Sequence, residues 1–119
     1  MSNGVVFADL HIHIGRTQTG RPVKISASSQ MTIRAILDEA SRRKGLGMIG
    51  VIDCHVPEVL QELDEMIRNG EASELTGGGL RYRGTTLILG TEMEVCDDSC
   101  QGPLHVLCYF PDLDTMARF

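Results

Sequence analysis

Side chains that could bind a metal ion follow the first apolar run of the sequence at intervals of two residues. Asp9, His11 and His13 come directly after residues 5–8, whose β-branched and aromatic composition predicts a buried strand. Because alternate residues of an extended chain project to the same face, these three side chains can converge. Two neutral imidazoles at this spacing can chelate one divalent ion, while a nearby carboxylate orients one of the rings. A polar edge strand without a ligand is the alternative, and we favour the metal site.

Histidine and acidic residues recur at three later apolar runs. Asp53 and His55 follow residues 48–52, Glu92 lies near the end of the run 86–95, and His105 lies within the apolar run 104–110. Taken singly, a histidine such as His105 would more often be a hydrogen-bonded core residue, since an unpaired polar group there would cost a few kcal/mol. Active sites of parallel α/β folds form at the carboxyl ends of their strands. The repeated placement therefore predicts one shared site.

The elements that must position these residues alternate between strand and helix. Helical spacing of apolar residues predicts a helix from Thr32 to Gly45 and a second from Pro57 to Gly70. The order β-α-β-α-β-β-α predicts an α/β fold on a largely parallel sheet. The remaining segments are predicted as a long loop over residues 15–30, an irregular β segment near 80–83, strands over 86–95 and 104–110, and a final helix over 112–119.

The length and composition of the chain limit the classes of protein to which it can belong. The 119 residues fit one domain, and the formal net charge of −5 argues against binding nucleic acid over the whole surface. A local basic patch remains compatible with that charge. Arg16, Arg21 and Lys24 lie in the loop that follows His13. They could contact phosphates, or they could be solvated loop charges.

Neither a signal peptide nor a run of about 20 apolar residues is present in the sequence, so we expect a cytoplasmic protein that does not enter the membrane. Its four cysteines are then expected to be reduced. Cys96 and Cys100 form a C-x3-C pair that could be half of a zinc site, although no second pair completes it. The last helical pattern stops abruptly, which predicts a truncated chain. Such a chain would expose apolar surface and an unpaired sheet edge, through which it could self-associate.

Four short motifs resemble those of the polymerase and histidinol phosphatase (PHP) superfamily, in the family's order and over nearly the whole chain. They are Asp9-Leu10-His11-Ile12-His13, Asp53-Cys54-His55, Gly90-Thr91-Glu92 and His105-Val106-Leu107. The resemblance implies a distorted (β/α)7 barrel, of which residues 1–119 would be the N-terminal portion. It also implies hydrolysis of phosphate esters by clustered divalent ions.

The resemblance further implies roles for single residues. His11 and His13 would hold the first ion, Glu92 would bridge to a second ion held partly by His105, and His55 would serve a third. Asp9 and Asp53 are the candidate catalytic carboxylates. Histidine and carboxylate ligands together favour zinc, manganese or iron over calcium.

Two departures from the family pattern stand out. Cys54 separates Asp53 from His55, which are usually adjacent in the second motif, and the family's later histidine and aspartate motifs have no counterpart in this sequence. We therefore expect this chain to be inactive by itself, as part of a larger enzyme.

Within the superfamily, the sequence is most similar to the bacterial branch related to endonuclease Q, which cuts DNA beside deaminated bases. Gly15-Arg16 and the segments 52–57 and 102–111 carry that similarity. A small-molecule phosphatase of the histidinol phosphatase type and a metal-binding module without activity are the alternatives.

Overall fold

The computed structural model describes residues 4–24, 27–96, 98–99 and 102–119. Its strands and helices confirm the predicted α/β class. In chain order they are β1 (Ala8–Ile12), α1 (Ile33–Asp38), which continues as a π-helical segment (Glu39–Arg43), β2 (Met48–Val51), α2 (Pro57–Arg68), β3 (Ala72–Glu74), β4 (Leu80–Tyr82), β5 (Thr85–Val95), β6 (Leu104–Phe110) and α3 (Leu113–Arg118). Within the described ranges, no helix combines the length and the apolar character needed to cross a membrane.

The six strands form one mixed sheet. Its order is β1-β2-β5-β4-β3, and β6 also pairs with β5. The prediction of a parallel sheet holds for β1, β2 and β5, which are mutually parallel. The pairs β3–β4, β4–β5 and β5–β6 are antiparallel instead. For β6 the reason is the connection: residues 96–103 are too few for the crossover of a dozen or more residues that a parallel return requires.

Both long predicted helices are confirmed, with local chemistry at each end. The Thr32 hydroxyl accepts a hydrogen bond from the Ala35 N–H (3.1 Å) and so caps α1. Pro57 occupies the first turn of α2, where its missing N–H is not needed. Gly45 and Gly70 follow the two helices with φ of +63° and +77°, a left-handed conformation that glycine adopts without strain.

The helices cover one face of the sheet and form the core with it. Buried residues recur at helical spacing on α1 and α2, and at alternate positions on β2 and β5. The main contributors are Ile33, Ile36, Leu37, Val59, Leu63, Met66, Ile49, Val51, Leu87 and Leu89. This packing fixes the central strands whose ends carry the candidate site.

The prediction of a buried first strand over residues 5–8 is wrong. Val5, Val6 and Phe7 are exposed, and the strand runs from Ala8 to Ile12. The reason is position: in the described part of the sheet β1 pairs only with β2, so it lies at an edge. Asp9 and His11 are thereby inside the strand rather than after it. The predicted self-association through apolar surface stays a prediction.

Candidate metal centre

Three predicted ligands meet at one edge of the sheet. The side chains of His11, His13 and Glu92 offer donor atoms that all lie within 4.8 Å of one another. The two Nε2 atoms are 3.2 Å apart, and Glu92 places Oε2 3.7 Å from the Nε2 of His13 and Oε1 4.0 Å from that of His11. β1 and β5 are both parallel to β2, so the carboxyl ends of these strands, near which the three residues lie, are on the same side of the sheet.

Asp53 fixes the orientation of the His13 ring. Its Oδ2 accepts hydrogen bonds from the backbone N–H of Ile14 (2.8 Å) and from Nδ1 of His13 (3.1 Å). A carboxylate only accepts, so Nδ1 carries the proton and the lone pair of Nε2 faces His11 and Glu92. This carboxylate–histidine arrangement is typical of metal-binding imidazoles. Asp53 thus lies behind the ring of a predicted ligand, and its predicted role as a catalytic carboxylate stays a prediction.

His105 reaches the same edge from the opposite strand direction. It lies near the start of antiparallel β6, where its Cα partner is Glu94, near the end of β5. Its Nδ1 is 3.4 Å from Oε1 of Glu92, and its side chain is 55% exposed. The alternative of a core histidine is therefore wrong, because this end of β6 is solvent-exposed.

His55 and Asp9 lie outside the three-residue group. The His55 ring is hydrogen-bonded through Nδ1 to the Thr91 hydroxyl (2.8 Å), one residue before Glu92. Asp9 accepts a hydrogen bond from the backbone N–H of His11 through Oδ1 (3.1 Å). Their predicted roles, a third-ion ligand and a catalytic carboxylate, stay predictions.

The residue inserted into the second motif points into the core. Cys54 is fully buried, and its N–H donates to the carbonyl of Gly90 (3.1 Å). Burial raises the pKa of its thiol to about 12. The thiolate is the form that ligates metals, so Cys54 is unsuited to the site. The insertion thus leaves Asp53 and His55 on either side of a core residue.

Cys54 is accordingly expected to resist thiol reagents while the protein is folded. At pH 8 a thiol with a pKa of about 12 has almost no thiolate, and burial blocks access to it. Titration with a chromogenic disulfide, before and after adding urea, measures this directly. The Cys54→Ala variant identifies the thiol that becomes reactive only in urea. Rapid modification of Cys54 in the native protein would contradict the burial.

The three basic residues of the predicted loop lie on a turn held against α2. Arg16 and Arg21 are exposed and Lys24 is half-buried. The turn is attached to the helix because the Thr19 hydroxyl donates to Glu58 (3.0 Å), and hydrogen bonds from threonines together with the charge of Arg21 lower the pKa of Glu58. The positive charge of Arg21 thus already acts on a carboxylate of this chain. Phosphate contact by the three residues stays a prediction.

Sequence reasoning did not single out Tyr109, which contacts the strand that carries His11. Its hydroxyl donates to the carbonyl of Leu10 (2.5 Å). An aromatic residue in an apolar strand gives no signal of such a bond. Cys108 is a thiol without a disulfide, and Cys100, the second residue of the predicted C-x3-C pair, lies outside the described residues.

The donor set fits a divalent ion. Two imidazole nitrogens and a carboxylate oxygen are donors that a divalent ion takes, and the oriented His13 ring has its lone pair directed at the other donors. Side-chain exposures of 22% for His13 and 21% for Glu92 leave the group accessible at the surface. The site can thus accept an ion together with a ligand from solvent.

Comparisons with known proteins agree with an endonuclease-like fold. No protein-family model matches the chain. It is 55% identical over 114 residues to the uncharacterized protein YqxK of Bacillus subtilis (strain 168), covering 96% of this chain and 30% of that protein. The crystal structure of the lesion-specific endonuclease PfuEndoQ from Pyrococcus furiosus superposes with a TM-score of 0.64 at 26% identity, over 95% of this chain and 24% of that one. The chain is thus similar to about a quarter of a lesion-specific endonuclease, and it spans less than a third of either relative.

Proposed function

We propose that this chain carries the first metal-binding half of a metal-dependent phosphoesterase of the PHP type. The observation that carries the proposal is the convergence of His11, His13 and Glu92 within 4.8 Å, with Asp53 orienting His13. Such an arrangement suits a metal centre better than a structural ion pair. The residues that join it are polar, partly exposed and contributed by strands distant in sequence.

A bound divalent ion would polarise a phosphoryl oxygen and lower the pKa of its water toward about 7. The side chains of this chain would supply the donor atoms that hold the ion. His11 and His13 offer Nε2, and Glu92 offers either oxygen and approaches His105 as well. Asp53 keeps His13 in the tautomer that can donate its lone pair. The remaining ligands would come from elsewhere in the whole protein.

We propose DNA with deaminated bases as the substrate of the whole protein. The structural similarity to a lesion-specific endonuclease supports a nucleic-acid substrate, and the motif similarity to the endonuclease Q branch supports the type of lesion. Arg16, Arg21 and Lys24, on the turn after His13, are the proposed phosphate contacts. On this chain, the acidic net charge would confine contacts with DNA to such a local patch.

The test is hydrolysis by the whole protein of oligonucleotides that contain one uracil or hypoxanthine, in the presence of Mn²⁺ or Zn²⁺. Cleavage beside the lesion is expected, with none of the undamaged oligonucleotide and none after chelation of the metal. The variant with Arg16, Arg21 and Lys24 all changed to Ala should bind DNA more weakly and show a shallower dependence of affinity on salt. A variant with three exposed arginines of the helical segments changed to Ala (Arg42, Arg43 and Arg68) removes the same number of positive charges and controls for loss of charge alone.

A phosphomonoester panel run beside the oligonucleotides separates the alternatives. Hydrolysis of histidinol phosphate or related monoesters, with DNA left intact, would make the protein a small-molecule phosphatase. Stoichiometric metal without hydrolysis of either substrate would make it a metal-binding module. Absence of bound metal would overturn the proposal itself.

A further inference from the structure

The peptide that joins Leu10 to His11 is held by side chains at both of its polar groups. Its carbonyl accepts a hydrogen bond from the Tyr109 hydroxyl (2.5 Å), and its N–H donates to Oδ1 of Asp9 (3.1 Å). The peptide lies where the register of β1 against β2 shifts: Asp9 pairs with Ile49 and Ile12 with Val51, so β1 holds one extra residue. Such a bulge re-aims the side chains around it.

Tyr109 reaches this peptide from a strand that lies three positions away in the sheet. It lies on β6, and β5 and β2 separate that strand from β1. In a flat sheet, three strand spacings would amount to about 14 Å, which is more than a tyrosine side chain can span. The hydrogen bond to Leu10 therefore requires a concave sheet. Tyr109 bridges the concave side.

Two glycines make room for the tyrosine ring. Gly90 is the Cα partner of Tyr109, and a Cβ on it would lie 3.2 Å from Cδ1 of the ring. A Cβ on Gly50 would lie 3.0 Å from Cε1 of the ring and 2.8 Å from the carbonyl oxygen of Leu10. Any side chain at Gly50 would thus press on both partners of the hydrogen bond. The ring, the bulge and the glycines form one packed unit beside His11.

We infer that Tyr109 is a positioning residue of the metal centre, since its hydroxyl holds the Leu10 carbonyl and thereby fixes the bulge that aims His11 at His13 and Glu92. The effect of Tyr109 on metal binding rests on the proposed function. The hydrogen bond that holds the bulge does not depend on a metal ion. In the described part of the sheet, β1 is an edge strand and is held by a neighbouring strand on one side only. The hydrogen bond from the Tyr109 hydroxyl therefore restrains the backbone of β1 from one face of the sheet.

The test is Tyr109→Phe, which keeps the ring and removes only the hydroxyl. We expect the affinity for Mn²⁺ or Zn²⁺ to fall by about tenfold, as for loss of other outer-shell partners of metal ligands. The visible absorption of bound Co²⁺ should change as well, because it reports ligand geometry. Tyr82→Phe is the matched control. Tyr82 is buried and its hydroxyl donates to Asp38 (2.5 Å), away from the metal centre, so its loss should leave metal affinity and the Co²⁺ spectrum unchanged.

A readout that needs no metal keeps the inference separate from the proposed function. Exchange of the His11 amide hydrogen, followed by NMR, should be faster in Tyr109→Phe than in the wild type and unaffected in Tyr82→Phe. If the wild type binds no metal, the proposed function fails and His11 exchange still decides the positioning role. If Tyr109→Phe matches the wild type in His11 exchange, or in metal affinity where the wild type binds metal, the inference is overturned. Thermal unfolding of both variants checks that they are comparably folded.

Discussion

His13→Ala is expected to abolish high-affinity binding of the first metal ion. His13 contributes the best oriented donor of the group, because Asp53 fixes its tautomer and its Nε2 lies 3.2 Å from that of His11 and 3.7 Å from Glu92. Loss of an outer-shell partner costs about 10–100-fold in affinity, and loss of a ligand should cost more than that. Titration calorimetry with Mn²⁺ and Zn²⁺ measures the change, and hydrolysis by the whole protein should disappear with it.

The fold should survive this substitution. The imidazole is partly exposed, and Asp53 keeps the backbone N–H of Ile14 as a hydrogen-bond donor. His55→Ala is the matched control, since it removes an imidazole bonded to Thr91 outside the three-residue group. First-ion affinity should be retained in His55→Ala. Equal metal stoichiometry and affinity in wild type and His13→Ala would refute the assignment of His13 as a ligand.

Patterns that depend on local chemistry predicted the helices and much of the site. Thr32, Pro57 and the glycines that end both long helices act within one turn of the backbone, so the sequence alone places these boundaries. The strand over residues 104–110 was likewise predicted with its observed bounds. The convergence of three histidine and glutamate side chains followed from the common edge of parallel strands, which a repeated pattern of strand-end polar residues can indicate.

Features that depend on which strands pair, and in which register, could not be predicted from these local patterns. Residues 5–7 have strand composition, but pairing with β2 begins at Ala8, and composition carries no information about where a partner strand starts. The antiparallel direction of β6 follows from the length of its connection, which a count of apolar runs does not weigh. Because pairing begins at Ala8, His11 lies inside β1 and not after it, and a bulge adds one residue to the strand there. No pattern in the sequence marks that extra residue.

The roles of the two aspartates also show what can be predicted from spacing and what depends on the folded structure. Both were candidate catalytic groups because they accompany histidines in the motifs. In the structure each accepts a hydrogen bond from the backbone near a histidine: Asp9 from the N–H of His11, and Asp53 from the N–H of Ile14. Only Asp53 also contacts an imidazole. Spacing can place a carboxylate beside a histidine, but only the hydrogen bonds indicate whether it orients the ring or the backbone.

Asp53→Asn is expected to lower metal affinity by about 10–100-fold while removing no ligand of the three-residue group. The amide that replaces the carboxylate can still accept from the N–H of Ile14 through its oxygen. Because Oδ2 accepts both hydrogen bonds in the wild type, the same amide oxygen can also accept from Nδ1 of His13. Neither bond is then charge-assisted, so the amide holds the tautomer of His13 less firmly and makes its Nε2 a weaker donor to the metal. Calorimetric titration with Zn²⁺ at constant pH measures the loss.

The same substitution should also lower the free energy of unfolding by about 1–3 kcal/mol, because the two hydrogen bonds of a buried carboxylate lose their charge assistance. Urea denaturation without metal measures this second effect. Asp64→Asn provides the matched control: Asp64 pairs with Arg68 on the surface of α2 (2.9 Å), so its change should shift stability by less than about 1 kcal/mol and leave metal affinity intact. If Asp53→Asn kept wild-type affinity while losing stability, Asp53 would support only the backbone at Ile14. The tautomer of His13 would then have to be fixed by the metal itself.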